Sequence, residues 1–145
     1  MSEIIYFDTS ALAKWYLNEV RSDDVEKYIQ EHGPVAISEL TVVEIRCLLA
    51  RRRRDRNIDS KMEGQVFATF QEDIRQNFLI CHPLPKDLVT GAINLLSVLV
   101  DIPLRTLDTF HLMIAKEIQT DVLATADKIM AAGGKVMGFS VVRFD

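Results

Sequence analysis

Short runs of apolar residues alternate along this chain with longer segments in which apolar positions recur every three or four residues. A short, continuous apolar run is typical of a strand that is buried on both faces of a parallel sheet. Such runs predict strands at Ile4–Phe7, Val35–Ile37, Phe78–Cys81 and Val122–Ala124, with one or two more within Val136–Val142.

The segments with helical periodicity predict the elements between these strands. Helices are expected at Ser10–Leu17, Ser22–Gln30, from Glu39 or Thr41 to the arginines before Asp55, Asp59–Gln76, Leu88–Val100, from Thr106 onward, and Ile129–Ala132, followed by a turn at Gly133-Gly134. Strands that alternate with helices indicate an α/β domain with a mainly parallel sheet. In such sheets, ligands bind beyond the carboxyl ends of the strands, where the strand order reverses. Functional side chains are therefore expected there.

The composition is that of one globular domain. The chain has 145 residues, of which 48% are hydrophobic and 26% charged, and domains commonly hold about 100–150 residues. No apolar run approaches the roughly 18 residues that a membrane span requires. We therefore expect residues 1–145 to form a single domain that is soluble and cytoplasmic. Cys47 and Cys81 have no metal-binding spacing and are expected to be buried free thiols.

The charge is unevenly distributed along the chain. The net charge is −4, but the segment from Arg46 to Arg56 holds six arginines and one acid, Asp55, which gives a local charge of +5 and leaves −9 for the rest. A basic patch on an acidic body can bind phosphate locally. Contact with RNA or with an acidic partner protein is expected for Arg46, Arg51, Arg52, Arg53 and Arg54. The alternative is a solvated helix face.

Four acidic residues stand near predicted element ends. Asp8 directly follows the first strand, and Asp127 comes shortly after Val122–Ala124. Asp108 lies in the first turn of its helix, and Glu44 lies in the first turn of another if that helix begins near Thr41. Each acid also has a simpler explanation as a helix cap or a partner of the helix dipole, including a capping box from Thr41 to Glu44.

The motifs around these acids resemble those of the PIN domain, as found in VapC-type toxins of toxin–antitoxin pairs. They are Ile5-Tyr6-Phe7-Asp8-Thr9-Ser10-Ala11-Leu12, Thr41-x-x-Glu44-Ile45-x-x-Leu48, Leu107-Asp108-x-x-His111-Leu112-x-x-Ala115, Thr125-Ala126-Asp127-Lys128 and Gly134-x-Val136. The motifs occur in the family's order and cover nearly the whole chain.

The resemblance implies a fold, a site and partners. The implied fold is a three-layer α/β/α domain with a mainly parallel central sheet of four to five strands. Asp8, Glu44, Asp108 and Asp127 correspond to the family's metal-binding acids, and Ser10 and Thr125 to its supporting hydroxyls. The resemblance also implies an endoribonuclease that leaves 5′-phosphate and 3′-hydroxyl ends, a homodimer and, in the toxin case, a cognate antitoxin. A PIN-domain RNA-processing nuclease without an antitoxin is the alternative.

Electrostatics favours a metal site independently of the resemblance. Two carboxylates about 5 Å apart repel by roughly 3 kcal/mol at an effective dielectric of 20. Four converging acids therefore need a cation, or some of their pKa values must rise. Oxygen ligands are typical of Mg²⁺, and Mn²⁺ accepts the same ligands. We expect the ion, bound chiefly by Asp8 and Asp108, to activate a water for attack on a phosphodiester, with Glu44 as an outer ligand or water-orienting base.

Other interpretations fit the sequence less well. His111, three residues after Asp108, is expected to support the site or to pack, because Mg²⁺ does not favour imidazole. A phosphoacceptor receiver domain would carry an aspartate after its third strand, where this chain has His82-Pro83. An aspartyl phosphatase would carry a second aspartate at position 10, which is serine. A catalytically silent interaction protein would not need the four acids.

Overall fold

The computed structural model describes residues 3–145, which form five strands and seven helices. In chain order these are β1 (Ile5–Phe7), α1 (Thr9–Tyr16), α2 (Ser22–His32), β2 (Val35–Ser38), α3 (Glu39–Arg54), α4 (Ser60–Arg75), β3 (Leu79–His82), α5 (Leu88–Val98), α6 (Thr106–Glu117), β4 (Val122–Thr125), α7 (Lys128–Val136) and β5 (Ser140–Arg143).

The five strands form one parallel sheet in the order β3-β2-β1-β4-β5. The strand order reverses at β1, because the chain first builds the sheet on its β2 side and later on its β4 side. Ile5 lies opposite Val122, and Phe7 lies opposite Ala124. Residues that follow β1 and β4 therefore emerge side by side at the carboxyl edge of the sheet.

Helices cover both faces of the sheet, so the predicted three-layer α/β/α fold is confirmed with five strands. One core contains Phe7 from β1 together with buried side chains of α1 to α4. The other contains Tyr6 from β1 together with side chains of α5, α6 and α7. Successive residues of a strand point to opposite faces, and both faces of β1 are apolar, so both are buried.

Several predicted boundaries are wrong. The C-terminal segment holds one strand, β5, whereas Val136 ends α7. Gly133 and Gly134 lie inside α7 and do not form a turn. A Cβ added to Gly134 would lie 2.6 Å from Cδ2 of Leu123. Gly134 therefore marks a close approach of α7 to the sheet, although glycine in a helix interior ordinarily destabilises the helix.

Of the two starts expected for α3, Glu39 and Thr41, the structure has the earlier one, Glu39. Ser38, the last residue of β2, is the N-cap, and the side chains of Ser38 and Thr41 form the capping box. Glu44 is therefore in the second turn of α3, and the predictions that it lies in the first turn and closes a capping box with Thr41 are wrong. Because no loop separates β2 from α3, Glu44 is held rigidly relative to the sheet.

The exposure of both cysteines differs from expectation. Cys47 is exposed and Cys81 half-buried, so the two free thiols are not buried. On α4, the apolar side chain of Met62 is exposed. Its neighbour Glu63 is turned inward, where it pairs with two arginines of α3. Within residues 3–145, no helix is both long enough and apolar enough to cross a membrane.

Candidate active site

A cleft of about 820 Å³ opens at the carboxyl edge of the sheet, and all four candidate acids line it. Asp8 follows β1, Asp127 follows β4, Glu44 lies on α3, and Asp108 lies on α6. We call this site the acidic cleft. The order of the parallel strands brings Asp8 and Asp127 together, while α3 and α6 contribute the other two carboxylates.

Asp8 is buried and enclosed by hydroxyl groups. Its Oδ1 accepts hydrogen bonds from the Ser10 hydroxyl at 2.7 Å and from the Ala11 N–H at 3.0 Å, and its Oδ2 accepts one from the Thr125 hydroxyl at 2.5 Å. Burial raises the pKa of Asp8, although the charge of His111 and these hydrogen bonds oppose that rise. Both hydroxyl residues singled out in the sequence therefore contact the same carboxylate.

Glu44 is anchored through one of its two oxygens. Oε1 lies 2.5 Å from Nε2 of His111 and 2.8 Å from Oγ1 of Thr9, which donates to it. Burial by itself would raise the pKa of Glu44, but the hydrogen bonds from His111 and Thr9 and the charge of His111 outweigh it, so the pKa is lowered. Glu44 is thereby kept as a carboxylate.

A buried hydrogen-bond chain continues behind His111. Its Nδ1 lies 2.7 Å from the Tyr6 hydroxyl, which lies 3.0 Å from Oγ of Ser38. Burial raises the pKa of Tyr6, so the phenol stays protonated. Because a carboxylate only accepts hydrogen bonds, Nε2 of His111 carries the hydrogen directed at Glu44.

Asp108 and Asp127 each cap a helix and also face the cleft. Oδ2 of Asp108 accepts the Arg105 N–H at 3.0 Å at the start of α6. Oδ1 of Asp127 accepts the N–H groups of Ile129 and Met130 at 2.8 and 3.1 Å at the start of α7. The capping role and the convergence at one site are therefore both present. Asp108 is the third residue of α6, whose N-cap is Arg105.

The oxygen-rich lining fits a hard divalent cation, but the side chains do not form a finished metal site. Within the described residues, no three His, Cys, Asp or Glu side chains are gathered closely enough to hold an ion. The donor set nevertheless consists of carboxylates and hydroxyls, which Mg²⁺ and Mn²⁺ accept. A cation would also offset the charge of Asp8, whose carboxylate has no ion-pair partner in residues 3–145.

Within residues 3–145, some members of the arginine cluster form ion pairs and others do not. Arg46 and Arg53 contact the Glu63 carboxylate at 3.0 and 2.6 Å, and Arg52 contacts Glu19 at 2.6 Å. Arg51, by contrast, lines the acidic cleft. Arg54 is exposed on the same helix but does not line the cleft. Of the arginines expected to contact RNA or a partner, only Arg51 therefore borders the acids.

Sequence reasoning missed Thr9, Tyr6 and Arg105 as members of this site. Tyr6 carried a usable signal, because a buried tyrosine hydroxyl normally needs a hydrogen-bond partner. Arg105 directly precedes the helix that carries Asp108, but the sequence does not reveal where its long side chain points. His111, expected to support or to pack, contacts Glu44 directly.

Comparison with known proteins adds family information to this geometry. A model of the PIN domain matches residues 5–136. Ribonuclease VapC46 of Mycobacterium tuberculosis is 28% identical over 141 residues, which cover 95% of each chain.

Solved structures have the same fold. VapC20 of M. tuberculosis, described as a toxin that cleaves the sarcin-ricin loop, has a TM-score of 0.70 at 19% identity and covers 96% of this chain and 98% of its own. VapBC2 of Rickettsia felis, solved with a promoter DNA fragment, has a TM-score of 0.69 at 12% identity. The match covers 98% of this chain and 99% of the other.

Proposed function

The chain belongs to the PIN-domain family, and from this premise we propose that it is a metal-dependent endoribonuclease, the toxin of a VapBC-type toxin–antitoxin pair. The observation that carries the proposal is the convergence of Asp8, Glu44, Asp108 and Asp127 on one cleft. Family membership sets aside the receiver-type alternative. The likeness to Ribonuclease VapC46 supports RNA as the substrate and the toxin over a processing enzyme.

The four acids divide into ion ligands and a base. Asp8 and Asp108 would hold Mg²⁺ or Mn²⁺, with Asp127 as a further ligand. A divalent ion bound there would activate a water and would offset charge on the phosphate. Ser10 and Thr125 hold Asp8 in a fixed orientation through the hydrogen bonds to both of its oxygens.

Glu44 is suited to take the proton from the attacking water. Its Oε1 is occupied by His111 and Thr9, so Oε2 is the oxygen left to accept a proton from a water in the cleft. The lowered pKa of Glu44 keeps it in the basic form at neutral pH. Attack of the water oxygen on phosphorus would break the bond to the 3′ oxygen, which takes up a proton from solvent, and would leave a 5′-phosphate and a 3′-hydroxyl.

The proposal includes two protein partners. An antitoxin that covers the acidic cleft would block access of RNA, and Arg51 at the cleft wall offers a contact for an acidic segment. A second copy of the chain would cover the apolar side of α5, where Val89, Ile93 and Leu96 are exposed while Leu88 and Leu95 are buried. Contiguous exposed apolar residues commonly mark protein interfaces.

Cleavage of RNA under metal control tests the proposed activity. End-labelled RNA is incubated with purified protein in EDTA and then with increasing Mn²⁺ or Mg²⁺. We expect cleavage only with the ion, and a loss of more than about 100-fold in Asp8→Asn, because even outer-shell partners of a metal site are typically worth 10–100-fold. Equal cleavage by wild type and Asp8→Asn would mean that a contaminating nuclease is responsible and would overturn the proposal.

A further inference from the structure

Arg105 bridges two of the four acids across the acidic cleft. Its Nε lies 3.7 Å from Oδ2 of Asp108, and its Nη2 lies 3.7 Å from Oδ2 of Asp127. The residue lines the cleft. A guanidinium is permanently charged, so Arg105 places a positive charge near both carboxylates.

Other charged side chains that line the cleft make different contacts. Within residues 3–145, the ion pairs of Asp108 and Asp127 all go to Arg105, whereas Glu44 pairs with His111. Lys14 also lines the cleft, but its Nζ donates to the Val20 carbonyl at 2.7 Å and lies 3.7 Å from Glu19. In this arrangement, Arg105 is the cation that partly neutralises the Asp108–Asp127 pair.

The guanidinium is loosely held, whereas its backbone is fixed. Distances of 3.7 Å are too long for hydrogen bonds, and the Arg105 side chain is 77% exposed, a setting in which ion pairs contribute little. The backbone, by contrast, donates its N–H to Asp108 and accepts the Thr109 N–H at 3.0 Å and hydroxyl at 2.8 Å through its carbonyl. The side chain can therefore leave the acids while its Cα stays at the rim of the cleft.

We propose that Arg105 occupies the Asp108–Asp127 pair only until a divalent ion replaces it, and then binds the phosphate of the substrate. This inference rests on the proposed nuclease function. A guanidinium donates two parallel N–H groups to phosphate oxygens. Donors aimed at an oxyanion stabilise the charge that develops as the phosphate reacts. Arg105 is thus a catalytic residue that also partly neutralises Asp108 and Asp127 in the metal-free site.

Three variants separate this role from general effects of charge and stability. Arg105→Ala removes the guanidinium, Arg105→Lys keeps the charge without the planar pair of donors, and Lys128→Ala removes an exposed cation that adjoins Asp127 but does not line the cleft. Arg105 contributes only its backbone N–H and carbonyl to the start of α6, and the Lys128 side chain is exposed. None of the three variants should therefore change the melting temperature appreciably in EDTA.

Mn²⁺ is first titrated calorimetrically into metal-free protein without RNA. We expect Arg105→Ala to bind the ion about two- to fivefold more tightly than wild type, a factor typical of removing an exposed ion pair, and Lys128→Ala to bind no more tightly than wild type. Weaker binding by Arg105→Ala would overturn the displacement step.

RNA cleavage at saturating Mn²⁺ is measured second. Arg105→Ala should lower kcat by about 100-fold, in the range found for loss of one oxyanion donor, with partial recovery in Arg105→Lys. Cleavage by Arg105→Ala at the Lys128→Ala rate would overturn phosphate binding by Arg105 while leaving the nuclease proposal standing. Failure of the wild type to cleave RNA would overturn the nuclease proposal and phosphate binding together, and the Mn²⁺ titration would still decide the displacement step.

Discussion

Nε2 of His111 lies 2.5 Å from Oε1 of Glu44, so a buried imidazole on α6 fixes a carboxylate on α3. The two residues are 67 positions apart in the sequence. Because Glu44 carries the proposed base function, the geometry of this contact bears directly on catalysis.

Replacement of His111 by alanine should move the pH dependence of cleavage. The hydrogen bond and charge of His111 lower the pKa of Glu44, so their loss raises that pKa. A base with a higher pKa is protonated at a higher pH, and the acid limb of the kcat profile should therefore shift to higher pH. We also expect kcat to fall by at least about tenfold, because general-base catalysis typically contributes 10²–10⁴-fold.

Tyr6→Phe and Tyr28→Phe form a matched pair for the same contact. Tyr6→Phe removes only the hydroxyl behind His111, whereas the Tyr28 hydroxyl has no hydrogen bond to any side chain or backbone group within residues 3–145. We expect Tyr6→Phe to lower kcat with little change in KM, and Tyr28→Phe to leave both unchanged. If both His111→Ala and Tyr6→Phe left kcat and the pH profile unaltered, the hydrogen-bond chain from Tyr6 through His111 to Glu44 would serve packing alone.

Asp8→Asn should stabilise the metal-free protein at neutral pH. Burial raises the pKa of Asp8 in the folded state. The ionised carboxylate therefore opposes folding at a pH above that pKa. This cost to stability disappears as the pH falls toward the pKa of Asp8 in the unfolded chain. Asparagine still caps α1 and carries no charge. We expect a gain of the order of 1 kcal/mol at pH 7, measured by urea unfolding in EDTA, that shrinks toward pH 4. A gain that grows as the pH falls would contradict this explanation.

Arg51→Ala and Arg54→Ala test the contact between Arg51 and RNA that the sequence predicts. Arg51 lines the cleft and Arg54 does not, although both are exposed on α3. We expect Arg51→Ala to raise KM and to reduce the slope of log affinity against log salt by roughly 0.7, the value for one phosphate of a single strand. Arg54→Ala should change neither. Equal effects of both variants would indicate general attraction by the basic helix, without a specific contact.

Ile93→Glu should separate the proposed homodimer. Ile93 is exposed in the middle of the apolar side of α5, and a charge there would be buried unpaired in an interface, which is costly. Light scattering should register two chains for wild type and one for the variant. Val20→Glu, which also replaces an exposed apolar residue but lies outside α5, should stay dimeric. A monomeric wild type at micromolar concentration would remove this element of the proposal.

The sequence alone determined the class of fold and the identity of the acids. Apolar runs and helical periodicity are local properties, and they are sufficient to predict alternating strands and helices and thus a parallel sheet. Asp8 and Asp127 could be assigned to one edge because Asp8 directly follows one buried strand and Asp127 comes shortly after another. The motif resemblance added Glu44 and Asp108, whose helices could be predicted but whose mutual distance could not.

Only the tertiary structure decided how these acids are held. Because α3 begins at Glu39, directly after β2, Glu44 lies in the second turn of the helix. The packing of α6 against the sheet brings His111 to Glu44. Contacts between distant segments also decided that Arg51 faces the cleft and that Arg105 spans two carboxylates. The physical reason is that a local pattern specifies which face of an element is apolar, whereas the rotation of a helix and the direction of a long polar side chain depend on all the elements packed around it.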